Sequence, residues 1–194
     1  MSSFNTHHLQ TVSLTGYKNL LNLDALYVLG YGWLFGMSVW QSSFGGVIAY
    51  KTLPRHQFGN LQFRTFPVYF LTSMLLSSGL LGTWIVKHPD VIKHIGEPRY
   101  AEVAQAHSLA AVVLLQGINY FALGPMTSRM MFRRHKLEKE QGKAYYEPGV
   151  SSEMKSLNNK FSVLHGVSSL ANLVALVLLG FHGVWIGNAG IKGY

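Results

Sequence analysis

The side chains best suited to bind an anion lie in one polar stretch, LPRHQFGNLQFRTFPVYF, between two apolar segments. It offers Arg55, His56 and Arg64. A later segment, HGVSSLANL, offers an imidazole and two hydroxyl groups at the start of another apolar run, from His165, Ser168 and Ser169. Arginine can hold phosphate oxygens through two parallel N–H groups, and the first turn of a helix adds partial positive charge. These residues together predict a site for an anion such as a lipid phosphate.

The same residues also fit a purely structural interpretation. Arginines at a membrane edge reach lipid headgroups with their long side chains, without forming a site. His165 and the two serines would then bond between helices, as polar residues in membrane bundles commonly do. The sequence leaves both interpretations open.

Other residues offer little for metal or catalytic chemistry. The chain has no cysteine, which excludes thiolate catalysis and Cys-ligated metals. His107 and His182 are a candidate pair for ligating haem iron, because both are expected on one side of the membrane at similar depth. The alternative is that each bonds to a neighbouring helix. HExxH, GxSxG and Gly-rich phosphate motifs are missing from the sequence, so we expect no metal centre, no cofactor and no enzymatic activity.

Four long uncharged segments must position these residues. Only 12% of the chain is charged, against about 25% in soluble domains. Each segment exceeds the roughly 20 residues that a helix needs to cross a bilayer. The pattern predicts an all-α integral membrane bundle of four transmembrane helices in one domain, residues 25–187, with spans at about 25–50, 66–86, 101–126 and 162–186.

The remaining segments are polar. Residues 1–24 are predicted to be a polar segment with a candidate interfacial helix, and residues 188–194 a short tail. Phe66-Pro67 is predicted to open the second span, because proline suits the first turn of a helix. Lys51 to Thr65 would then be a connector of fifteen residues, and residues 130–160 a cytosolic loop.

Gly32 and Gly36 lie in GxxxG spacing within the first span. In lipid, small residues at this spacing let two helix backbones approach closely. We therefore expect this glycine face to pack on another helix, belonging to the same chain, a second copy or another membrane protein.

Lysine and arginine are distributed unevenly between the two sides of the predicted bundle. The side with the first and third connections holds eleven of them, and the opposite side five. By the positive-inside rule, both basic connections are cytosolic and both termini are not. This rule accounts for the net charge of +8 without a nucleic-acid partner. We expect a multi-pass protein of endomembranes or the plasma membrane, with the mitochondrial outer membrane as the alternative.

Three segments together resemble the transmembrane protein 205 family: LPRHQFGNLQFRTFPVYF, KLEKEQGK at 136–143 and HGVSSLANL at 165–173. Their order, their spacing and the four-span layout fit over about residues 24–187. The resemblance implies a small multi-pass protein of internal or plasma membranes whose biochemical activity is poorly defined. It also implies a link to cellular resistance to platinum drugs.

The functional expectation is a non-enzymatic organising or accessory protein whose basic cytosolic face contacts lipid headgroups or a partner. The alternative is a transporter or export factor for small solutes or metal complexes. Export would require polar groups that continue across the bundle, and the deep polar residues are Gln41, Gln116, Asn119 and Asn172.

Overall fold

The computed structural model describes residues 20–191, which form five helices. In chain order they are α1 (Leu23–Val39, a π-helical turn Trp40–Gly45, then Gly46–Thr52), α2 (Arg55–Lys87), the short α3 (Asp90–Lys93), α4 (Ala101–Ile118, a π-helical turn Asn119–Leu123, then Gly124–Gln141) and α5 (Ser152–Ala189). Residues 1–19 of the predicted N-terminal segment, with most of the candidate interfacial helix, and the last three residues of the predicted tail lie outside the described residues.

The all-α membrane bundle is confirmed. Within residues 20–191, three helices (α2, α4 and α5) are long and apolar enough to cross a membrane by length and composition. The fourth, α1, has no charged residue between Asp24 and Lys51. At 1.5 Å per residue, α2, α4 and α5 are roughly 50 to 60 Å long, which is more than the roughly 30 Å hydrocarbon layer.

The predicted start of the second helix is wrong. α2 begins at Arg55, and Pro67 lies inside it rather than in its first turn. Only Leu53 and Pro54 join α1 to α2, so most of the predicted connector is helical. Residues 130–160 are likewise mostly helical, and only 142–151 lie outside helices. The reason is that side-chain polarity marks where a helix leaves the membrane, whereas the backbone hydrogen bonds continue beyond that point.

Small and apolar residues hold the membrane part of the bundle together. The core is formed by buried side chains from α1, α2, α4 and α5, among them Leu34, Trp84, Leu109, Val112 and Leu179. Serines of α1 and α2 are also buried, and they let the backbones approach: Ser38, Ser73 and Ser77.

Gly32 and Gly36 do not form an interface within the described part of the chain. Both are exposed, and a Cβ added at either would meet nothing within 4 Å. The close approach instead occurs at Gly183 of α5, where an added Cβ would overlap the hydroxyl group of Tyr31 on α1. That hydroxyl donates to the carbonyl of Leu179 at 2.9 Å. The predicted glycine face therefore remains available only to lipid or to a second protein.

A second, smaller core lies at the end of the bundle where α4 ends and α5 begins. Leu137, Met154 and Leu157 are buried there, with Tyr145 and Val150 packed against them. Ser151 caps α5 by accepting a hydrogen bond from the Met154 N–H at 3.1 Å. This core fixes the ends of α4 and α5 together, and so it positions the site described next.

Candidate functional site

The start of α2 and the end of α4 meet through a carboxylate. Arg55 Nη2 donates to Glu138 Oε1 at 2.8 Å. The same oxygen accepts the Tyr145 N–H at 2.8 Å, which ties down the segment between α4 and α5. The Glu138 side chain is only 6% exposed. One carboxylate therefore joins three segments of the chain.

Aromatic rings cover the two arginines of this site. The Arg55 guanidinium carbon lies 4.6 Å from the ring centre of Tyr145 and 4.9 Å from that of Tyr146. Arg134, which is buried, lies 4.4 Å from Tyr145 and 3.8 Å from Phe161. Cation–π contacts of this kind strengthen as the cation loses water. Both arginines thus stabilise the local structure by packing against these rings, in addition to contributing positive charge.

Two histidines lie beside Glu138. The ring centres of His56 and His135 are 4.3 Å apart, and His56 Nε2 lies 3.7 Å from Glu138 Oε2. Burial lowers the pKa of His135 below its usual value, and the electrostatic effect of the neighbouring His56 adds to this. The lowered pKa favours the neutral imidazole of His135, which is the form that can bind a metal ion.

The structure places the six residues predicted to bind an anion in three parts of the bundle. Arg55 and His56 share the Glu138 site, but Arg64 lies further along α2, exposed on a groove that also involves Trp40 and Gln41. His165 is exposed and stacks on Phe161, with ring centres 5.7 Å apart. Ser168 and Ser169 follow on α5. Ser168 is half-buried and Ser169 is exposed. Anion binding itself stays a prediction.

His182 and His107 are not brought together. His182 is fully buried, and its ring nitrogens lie 2.6 Å from the Tyr27 hydroxyl and 2.8 Å from Gln105 Oε1. Gln105 and His107 are two residues apart on α4, so they point to nearly opposite faces of that helix. The predicted pairing for haem iron therefore has no geometric basis, and His182 bonds between helices.

The sequence interpretation missed Glu138, Arg134 and Tyr145. A signal for the first two existed, since Met131, Arg134 and Glu138 follow the helical period and share one buried face. Their polar types concealed that face, because charged residues are rarely buried unless paired. No comparable signal marks Tyr145, which lies outside the helices.

A polar cluster lies deeper, where both π-helical turns face α5. Asn172 Nδ2 donates to Ser42 of the first π turn at 2.7 Å, and Asn172 Oδ1 accepts from Tyr69 at 2.7 Å and from Gln116 at 3.2 Å. Asn119 of the second π turn donates to the Ser168 carbonyl at 3.2 Å. Buried apolar residues separate this cluster from the His182 cluster: Leu109, Val112, Ala175 and Leu179. The deep polar residues therefore form two islands rather than one path.

The similarity of this chain to known proteins extends over most of its length. Over 165 residues the chain is 27% identical to transmembrane protein 205 of Danio rerio, covering 78% of this chain and 85% of that protein. Over 176 residues it is 25% identical to xanthocillin biosynthesis cluster protein D of Aspergillus fumigatus, covering 91% and 96% respectively. No solved structure matches.

The resemblance to transmembrane protein 205 is thus confirmed as homology, and the protein is an integral multi-pass membrane protein. Residues 29–136, more than half of the chain, also match the model of a domain of unknown function, DUF4149. That span includes α2 and the part of α4 that reaches the histidine site. The chain belongs to the DUF4149 family.

Proposed function

We propose that this protein is a non-enzymatic accessory protein of its membrane, and that its basic end binds anionic lipid headgroups. The basic end is where α1 and α4 finish and α2 and α5 begin, and it holds eleven basic residues against four acidic ones. Two of the eleven, Arg55 and Arg134, are engaged internally with Glu138 and aromatic rings. The other nine are exposed, and this exposed charge is the observation that supports the proposal.

The opposite end differs because all three of its described cations have acidic partners. Of the nine exposed cations at the basic end, only Lys136 has one in the described part of the chain, Glu140. Lys87 pairs with Asp24, and Arg99 pairs with Glu97. Lys93 lies 2.8 Å from Asp90, and this contact lowers the pKa of the Asp90 carboxyl. Paired charges attract phosphate less than unpaired ones do. The contrast favours lipid binding at the basic end over general attraction along the whole molecule.

The exposed cations lie at a suitable height for headgroups. Residues 55–65 of α2 come before the predicted span, so this part of the helix projects about 16 Å out of it. Arg129, Arg133 and Lys136 follow the helical period along one exposed face of α4. Each basic residue near an anionic membrane surface contributes about 1 kcal/mol of attraction. Three on one face therefore predict a marked preference for phosphatidylserine over phosphatidylcholine.

The test compares the lipid retained by the purified full-length protein. Wild type and the triple variant Arg129→Gln, Arg133→Gln, Lys136→Gln are extracted from membranes that contain both phosphatidylserine and phosphatidylcholine. Bound lipid is then quantified by mass spectrometry. We expect the variant to retain less phosphatidylserine by about tenfold or more, with phosphatidylcholine unchanged.

The matched control is Lys93→Gln with Arg99→Gln, which removes cations from the opposite end. This control should retain phosphatidylserine like the wild type. Equal retention by wild type and the triple variant would contradict the proposal, and equal loss in both variants would show attraction that is not specific to the basic end.

Export of a small solute or metal complex is the second candidate. The two polar clusters around Asn172 and His182 favour it, and the apolar layer between them opposes it. Sealed vesicles that contain the protein and a platinum(II) complex provide the test. Protein-dependent release, measured as platinum outside the vesicles, would support export, and release equal to protein-free vesicles would contradict it.

A further inference from the structure

We propose that His56, His135 and Glu138 bind one divalent transition-metal ion, with Zn²⁺ as the ion to test, at the junction of α2 and α4. The donor set is two imidazoles and one carboxylate, a combination that binds Zn²⁺ and leaves a fourth position open to water. The inference does not depend on lipid binding at the exposed face of α4.

The three donor atoms already lie close together. Within the described residues, the ligand atoms of His56, His135 and Glu138 all lie within 4.8 Å of one another. Zinc bonds of about 2.1 Å in a tetrahedron require donor atoms about 3.4 Å apart. The 3.7 Å between His56 Nε2 and Glu138 Oε2 is near that value. His56 is half exposed, so a small side-chain rotation can complete the set.

Glu138 provides an unused donor atom that points to this site. Its Oε1 accepts two hydrogen bonds, from Arg55 and from the Tyr145 N–H. Its Oε2 is buried and has no hydrogen-bond partner within the structure of residues 20–191. A buried carboxylate oxygen without a partner is costly. A metal ion shared with the two imidazoles would satisfy that oxygen while Arg55 remains on the other.

The backbone holds the two imidazoles in place. His135 and Glu138 are three residues apart on α4, so they share one face of that helix. His56 lies in the first turn of α2, which approaches α4 closely at Gly59. A Cβ added at Gly59 would lie 2.9 Å from the Met131 sulfur and 3.4 Å from His135 Cε1. The bare glycine therefore allows the contact on which the site depends.

Neighbouring positive charges oppose the binding of a cation at this site, whereas an open groove gives the cation access to it. Arg55 and Arg134 both lie near Glu138 and repel a divalent ion. The cation–π contacts of both arginines hold their guanidinium groups against the electron-rich face of Tyr145. A groove lined by Arg55, His56, Glu138 and Lys139 opens to solvent, which provides a route for entry.

The test measures Zn²⁺ binding by the full-length protein in detergent, purified without a histidine tag and stripped with a chelator. All samples carry His7→Ala and His8→Ala, so that the two adjacent histidines near the N-terminus add no binding. Isothermal titration should give one Zn²⁺ per chain. His135→Ala and His56→Ala should each weaken binding by about tenfold or more. Co²⁺ should give the visible absorption of a tetrahedral site, and this absorption should be lost in both variants.

The matched control is His94→Ala. His94 also contacts a carboxylate, that of Glu97, but residues 20–191 offer this pair no third ligand. This variant should bind Zn²⁺ like the parent protein. Zn²⁺ should also raise the melting temperature of the parent and of His94→Ala, and not that of His135→Ala. The proposal is overturned if no Zn²⁺ binds at one per chain, or if the His56→Ala and His135→Ala variants bind it as tightly as the parent.

Discussion

At the scale of single residues, Glu138 joins α2, α4 and the segment before α5 at the basic end. It is one of two glutamates in the basic helix end KLEKEQGK, and the other, Glu140, is exposed. Glu138 faces inwards and accepts hydrogen bonds from Arg55 and from the Tyr145 N–H. Two residues of the same type, two positions apart, thus have opposite roles because helical geometry turns them to different sides.

The substitution Glu138→Ala should destabilise the protein. It leaves Arg55 and the Tyr145 N–H without their acceptor in a partly buried place. We expect a loss of about 2 kcal/mol, because Arg55 keeps some access to water. Thermal unfolding in detergent should show a melting temperature several degrees lower.

The control for this prediction is Glu140→Ala. Glu140 contacts only Lys136, at 3.7 Å, and both side chains are exposed. Exposed pairs of this kind contribute less than about 1 kcal/mol, so the melting temperature should hardly change. Equal effects of the two substitutions would mean that the buried carboxylate has no special role.

At the scale of elements, one glycine decides how closely α1 and α5 approach. Gly183→Ala would place a methyl group where the Tyr31 hydroxyl lies. Tyr31 must then move and lose its bond to the Leu179 carbonyl. Overpacking of this kind costs about 1 to 3 kcal/mol, and it should lower the melting temperature in detergent.

Two other glycines serve as controls. Gly187→Ala lies one turn further along α5, and Gly36→Ala lies in the GxxxG pair of α1, with nothing within 4 Å of the added Cβ at either position. Neither should lower the melting temperature of the purified protein. If Gly36→Ala destabilised the protein as strongly as Gly183→Ala, the outward glycine face would have a partner in the detergent-purified protein.

Helix existence could be predicted from the sequence, but helix bounds could not. Long uncharged segments can only be stable in lipid as helices, because every backbone polar group must be satisfied internally. Arg55 to Thr65 carries polar side chains, which hydropathy cannot distinguish from a loop. The partner of Arg55 was beyond prediction for another reason: Glu138 is 83 residues away, and only tertiary packing brings them together.

At the scale of the whole molecule, the described helices extend furthest beyond the predicted spans at the basic end. α2, α4 and α5 all continue past the predicted spans at the basic end, where they share the small core of Leu137, Met154 and Leu157. The basic side is therefore a folded extension rather than a set of flexible connections. The positive-inside rule predicts that this extension lies in the cytosol.

Cysteine labelling can test this orientation without background, because the chain has no cysteine of its own. Pro148→Cys introduces a thiol between α4 and α5, and Gly96→Cys introduces one between α3 and α4. A membrane-impermeant maleimide added to the cytosolic face of sealed vesicles should label Pro148→Cys alone. Labelling of Gly96→Cys alone from that face would contradict the prediction and show the opposite orientation.

The two π-helical turns affect how the length of this chain can vary. In a π turn each N–H bonds five residues back rather than four, so the turn holds one residue more than the α-helix it interrupts. Removing a residue from Trp40–Gly45 or Asn119–Leu123 restores an ordinary α-helix, with the faces before and after it still aligned. Elsewhere in a span, one deletion rotates everything beyond it by about 100°. Single-residue gaps between relatives should therefore collect at these two turns.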